Sequence, residues 1–147
     1  TDENDGPGLG YISVFDPNGN FVRRFTTAGQ LNAPWGVALA PPSFGDFGGA
    51  VLVGNFGSGQ IEAYDYRSGD WLGTLQDGNG NNIVIDGLWA IVFGNGHHTQ
   101  PTNWLFFTAG PDDESEGLYG YVAPVSGKKN YKPPNTHAQC HSFVIGL

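Results

Sequence analysis

The side chains able to ligate a metal or move a proton fall into a few groups. His97 and His98 are adjacent, and His137, Cys140 and His141 lie near the end of the chain; together they are every histidine and the sole cysteine. Imidazole and thiolate are the ordinary ligands of Zn²⁺ and Cu²⁺. The spacing His137-x-x-Cys140-His141 nevertheless matches no standard zinc module, and a haem attachment motif would need a second cysteine. Asp112, Asp113, Glu114 and Glu116 offer the oxygens that Ca²⁺ prefers, but not the spacing of an EF-hand, so a solvated acidic turn is the expected reading. Trp35, Trp71, Trp89 and Trp104 have faces on which sugar rings stack. Trp35 and Trp89 suit sheet-to-sheet packing better, which leaves Trp71 as the free one. No Gly-x-Ser-x-Gly elbow occurs. Gly94-Asn95-Gly96 reads as a turn, since no helix is expected after it to receive a phosphate.

The elements that must position these groups are short strands. Tyr11-Ile12-Ser13-Val14-Phe15 and Phe21-Val22-Arg23-Arg24-Phe25 flank Asp16-Pro17-Asn18-Gly19-Asn20. Pro fixes φ there and Asn-Gly supplies positive φ, so the three pieces make a hairpin. Four further strands are expected at 34–40, 50–57, 60–65 and 71–75. After the turn-rich loop 76–82, apolar residues run from Ile83 to Phe93, and strands follow at 104–109 and 117–123. Residues 1–9 read as a loose end. Beyond Pro124 the pattern fails, apart from a closing strand over 142–147.

The strands repeat. Gly10-Tyr11-Ile12-Ser13-Val14-Phe15-Asp16 corresponds to Gly59-Gln60-Ile61-Glu62-Ala63-Tyr64-Asp65. Asn32-Ala33-Pro34-Trp35-Gly36-Val37 corresponds to Asp86-Gly87-Leu88-Trp89-Ala90-Ile91, and Leu52 to Gly57 more loosely to Leu105 to Gly110. A period of about 50 residues with four strands per unit is the signature of a β-propeller blade. The chain then holds a partial blade at 10–25, a complete one at 34–75, a partial one at 83–123 and a tail at 124–147. Such a set cannot close a ring by itself. The expected partners are therefore the remaining blades, or copies of the same chain.

Composition narrows the function classes. The 147 residues suit one domain, and 24 glycines with 14% aromatic residues fit tight turns between short strands. A formal net charge of −8 with six Lys and Arg argues against nucleic acid, whose binders carry a basic stripe; Lys128, Lys129 and Lys132 are too few. No apolar run is long enough to span a membrane. One cysteine excludes an intrachain disulfide. The sequence has no methionine, even at position 1, and is read as a processed product or a fragment.

Pro34-Trp35-Gly36-Val37-Ala38, the following Leu52-Val53, and Gln60-Ile61-Glu62-Ala63-Tyr64-Asp65 resemble the NHL-type repeat. The wider strings from Leu31 to Pro41, Val53 to Asp65, Ile85 to Ala90 and Phe107 to Glu114 are similar to a family of uncharacterised secreted propeller proteins, in their C-terminal half. The resemblance implies an all-β, NHL-like β-propeller, part of a six-bladed ring, in an extracytoplasmic setting; it implies no activity. The leading expectation is a binding or scaffold module without a catalytic motif. Asn32 and Asp86 occupy equivalent places, three residues before the Trp of the innermost strand, where oxygens converge on the channel mouth and would suit Ca²⁺. A resemblance to calcium-dependent lactonase propellers points the same way, and makes a Ca²⁺-dependent hydrolase or lyase the alternative. The competing reading is that both residues cap turns. A third expectation is a structural subunit that pairs through exposed strand edges.

Overall fold

The computed structural model describes residues 4–125 and 142–146. They form an all-β structure with no α-helix among the described residues. The strands are β1 (Tyr11–Phe15), β2 (Phe21–Thr27), β3 (Pro34–Leu39), β4 (Val51–Asn55), β5 (Ile61–Tyr64), β6 (Trp71–Thr74), β7 (Leu88–Phe93), β8 (Leu105–Ala109), β9 (Leu118–Val122) and β10 (Ser142–Gly146). They make three antiparallel sheets, ordered β10-β1-β2, β3-β4-β5-β6 and β7-β8-β9, and none of them closes on itself. A short 3-10 turn, Gly45–Phe47, interrupts the loop before β4. It seats Phe44 edge-on against Phe93 of the third sheet, with ring centroids 5.0 Å apart.

The turns follow from their sequences. In Asp16-Pro17-Asn18-Gly19-Asn20, the Asp16 carboxylate accepts from the Asn18 and Asn20 backbone N–H groups and from the Asn20 amide, at 2.8–2.9 Å. Asp77 does the same for Asn79 and Asn81. In both turns these donors favour the ionised carboxylate and hold its pKa below the usual value.

Alternation along the strands sorts side chains onto two faces. Ile12, Val14 and Phe25 of the first sheet meet Val51, Val53 and Tyr64 of the second. On the opposite face of the second sheet, Leu52, Ile61 and Ala63 meet Leu88, Ile91 and Leu105 of the third. The sheets therefore stack face to face in chain order. Contact between them concentrates on β3 with β7, β4 with β7, and β10 with β3.

The repeat is visible in backbone detail. Pro34 pairs with Asn55, and Leu88 pairs with Ala109. Each pairing is followed by a register irregularity around the Trp that comes next. Ala33 and Gly87, just ahead, both adopt positive φ, at 48° and 61°. Their carbonyls accept from Phe56 and Gly110 respectively. The first sheet is built differently, because β10 pairs with β1 in the register that β4 uses with β5. Gly6 to Leu9, expected to be loose, are bonded to the 31–33 turn through Gly8 N–H to Leu31 O and Ala33 N–H to Leu9 O.

Candidate functional site

The loops entering β3 and β7 carry the polar groups singled out above. Asn32 is half-buried, and its Oδ1 accepts the Gly6 N–H at 2.7 Å. Asp86 is exposed, and its Oδ2 accepts the Asp112 N–H at 3.3 Å. Each oxygen thus fastens a neighbouring segment, 26 residues away in both cases. No group of three or more His, Cys, Asp or Glu is poised to hold a metal among the described residues. His97 and His98 are exposed in a turn, where Asn95 Oδ1 accepts the His97 N–H. His137, Cys140, His141 and the lysines 128, 129 and 132 lie outside the described residues.

The acidic turn is bound to this end. Asp112, Asp113 and Glu114 take φ values of 54°, 51° and 60°, three successive left-handed residues without glycine. Such a run is unfavourable for L-residues. It is held by Glu114 N–H to Gly110 O, Ser115 N–H to Asp112 O and the bond to Asp86. The Trp89 indole lies against Gly110, where an added Cβ would run into the ring, and donates to Glu114 Oε1 at 2.7 Å. Trp35, its counterpart, tilts over Phe56. Neither ring joins the buried clusters between sheets, contrary to the packing expected of them. The register irregularity at each Trp takes the ring out of the alternation that would aim it inward.

Two polar residues passed over in the sequence are the most buried. Asn55 is fully buried; its Oδ1 accepts the Asn32 N–H and its amide donates to Gln30 O. Glu62 is 1% exposed, inside the junction of the first and second sheets. Its Oε2 accepts from the Trp71 indole at 2.7 Å and the Thr74 hydroxyl at 2.9 Å. Trp71, expected to be exposed, is 49% exposed, with its indole N–H committed to this bond. Burial pushes the Glu62 carboxyl above its ordinary range, and the two donors offset part of that rise. The neighbouring Tyr64 hydroxyl is buried without a partner, and is raised by its own burial and by the Glu62 charge. The signal for Glu62 was a lone acid within an inward-facing run, opposite a Trp and a Thr on the next strand.

The sign of the pH effect follows. The folded state holds the Glu62 proton more tightly than the unfolded chain, so this residue's contribution to stability is full below the unfolded pKa. It falls as pH rises through the raised folded value, and is level above that. Glu62→Gln keeps an oxygen acceptor for Trp71 and Thr74. It is expected to flatten the urea midpoint against pH above the unfolded glutamate value of about 4.3, without lowering it at neutrality. An unchanged pH profile would show that Glu62 titrates as if exposed.

Comparison with known proteins finds relatives that are themselves uncharacterised. The chain is similar to protein R648 of Acanthamoeba polyphaga mimivirus, 42% identical over 117 residues, covering 80% of this chain and 28% of that protein. It is likewise similar to protein L690 of the same virus, 42% identical over 116 residues, covering 79% and 30%. A third, protein R640, is 45% identical over 90 residues, covering 61% and 17%. The chain therefore spans less than a third of the length of the curated relatives it matches. No family model matches it, and no solved structure does.

Proposed function

We propose that these residues are part of an NHL-like β-propeller, six-bladed when complete, that serves as an extracytoplasmic binding or scaffold module. The observation that carries this reading is the stack: successive sheets meet through equivalent faces, and the strands entered from Asn32 and Asp86 share pairing, bulge and preceding positive φ. The relatives' additional length is a source for the remaining blades. The extracytoplasmic setting rests on the family resemblance. The ligand-facing end is the one with Asn32, Trp35, Asp86, Trp89 and the acidic turn. One oxygen each of Asn32, Asp86 and Glu114 is committed to a backbone N–H or an indole, which fixes the loops that carry them.

A second reading, a Ca²⁺-dependent lactonase-like hydrolase or lyase, is favoured by the bond that brings exposed Asp86 to the acidic turn. Calcium titration calorimetry of the intact protein, with the remaining blades present, separates the two. Heats no larger than buffer dilution are expected for the binding module. Saturable Ca²⁺ binding that disappears in Asp86→Ala would replace it with the hydrolase reading.

A further inference from the structure

The packing of the first two sheets leaves one buried hydroxyl over. Glu62 and Tyr64 are two residues apart on β5, so both project from the same face of the second sheet, beside Val53 and Val51 of β4. That face meets Ile12, Val14 and Phe25 of the first sheet. Tyr64 is 2% exposed, and Phe25 stands edge-on to its ring with centroids 6.2 Å apart. The Tyr64 hydroxyl oxygen has no hydrogen-bond partner among the described residues.

The polar groups around it are directed elsewhere. Trp71, which pairs with Tyr64 across β5 and β6, has its indole N–H on Glu62 Oε2. The Thr74 hydroxyl is bonded to the same oxygen. Arg23, whose guanidinium lies over the Phe25 ring, donates to Tyr66 O at 3.2 Å. Both donors to Glu62 thus reach Oε2, and Oε1 takes no bond among the described residues. The Glu62 charge acts on the Tyr64 hydroxyl, so the two groups lie within electrostatic reach of each other.

A tyrosine hydroxyl is hydrated in the unfolded chain, and burial without a replacement bond forfeits that hydration. Ordered internal water commonly supplies the partner where the protein does not. Tyr64 Oη can donate and Glu62 Oε1 can accept, which makes them complementary ends for one water. Two oxygens are too few for Ca²⁺, which takes about six to eight. The side chains of Ile12, Val14, Phe25, Val51 and Val53 add none.

We propose that one internal water is bound between the Tyr64 hydroxyl and Glu62 Oε1, where the first and second sheets meet. The water accepts from the Tyr64 O–H and donates to Glu62 Oε1. It gives the carboxyl a third donor beside Trp71 and Thr74. The groups that hold it come from β5 alone, so the site is the same whether or not further blades complete a ring.

Tyr64→Phe in the intact protein removes the hydroxyl and keeps the ring. With the water in place, the variant loses one bond and leaves the water a single partner. Its folding equilibrium constant at neutral pH, read from urea unfolding, is expected to fall roughly three- to tenfold. High-resolution crystal structures are expected to show a water within hydrogen-bond reach of both Tyr64 Oη and Glu62 Oε1 in the wild type, and none there in the variant. An equal or higher stability of Tyr64→Phe overturns the proposal, because the hydroxyl would then have been buried unpaired. A dry junction in the wild-type crystal, or a direct bond between Tyr64 and Glu62, overturns it too. The binding-module reading stands apart from these results and is addressed by the calcium titration.

Discussion

Gly36→Val is expected to lower the unfolding free energy by about 3 kcal/mol, with Gly36→Ala losing roughly 1–3 kcal/mol. A Cβ at this position would stand 2.8 Å from the Ile91 nitrogen, 2.9 Å from Ile91 Cγ1 and 3.0 Å from the Trp89 oxygen. Two of these three are backbone atoms of β7, which cannot rotate away as a side chain can. The second and third sheets would have to separate along their closest line, loosening Leu88 and Ile91 from Leu52 and Ile61. The comparison is Gly78→Ala, where an added Cβ meets nothing within 4 Å and which should leave the urea midpoint unchanged. If Gly36→Ala matched that control, β3 and β7 would not be in contact in solution, and the stacked arrangement itself would fail.

Gly36 also shows what was legible in the sequence. The equivalence of Pro34-Trp35-Gly36-Val37 with Leu88-Trp89-Ala90-Ile91 could be read from spacing, and it located two strands that lie against each other. The alternation of apolar residues gave the strands, and Asp16-Pro17-Asn18-Gly19-Asn20 gave the first hairpin, because both signals are local. The closeness of approach was not legible. Whether a glycine is needed depends on what stands opposite, and Ile91 is opposite only once the sheets are stacked. The same limit applies to the Trp rings, since a register irregularity leaves no mark in the alternation of a six-residue strand.

The site residues divide along similar lines. Asn32 and Asp86 were found because they hold equivalent places in a repeat. Their hydrogen bonds to Gly6 and Asp112 join segments that no spacing rule connects. Glu62 required the pairing of β5 with β6, which sets it beside Thr74 with Trp71 two positions along. The role of β10 was legible only as a strand-like run; that it takes beside β1 the place β4 takes beside β5 is a property of the assembled sheet.

Asn55→Ala is expected to cost about 3 kcal/mol, although it deletes no apolar contact of size. The residue is fully buried and makes two bonds of opposite sense, accepting from Asn32 N–H at 3.0 Å and donating to Gln30 O at 2.9 Å. Alanine leaves one backbone donor and one backbone acceptor without these partners at the connection between β2 and β3, and each such group costs roughly 1–3 kcal/mol when water cannot reach it. Asn55→Asp separates hydrogen bonding from volume. The ionised carboxylate can still accept from Asn32, but it cannot donate to Gln30 and it buries a charge, so at neutral pH this variant should fare no better than alanine. A protonated carboxyl can do both. Burial raises its folded pKa above the unfolded value of about 3.9, so stability should return as pH falls toward that value. Urea midpoints measured at pH 7 and near pH 4 check this. Recovery of Asn55→Asp at the lower pH, beyond any change in the wild type, would assign the loss to the missing donor. Parallel behaviour of Asn55→Asp and Asn55→Ala at both pH values would mean that the two bonds contribute little and that Asn55 serves only to fill space.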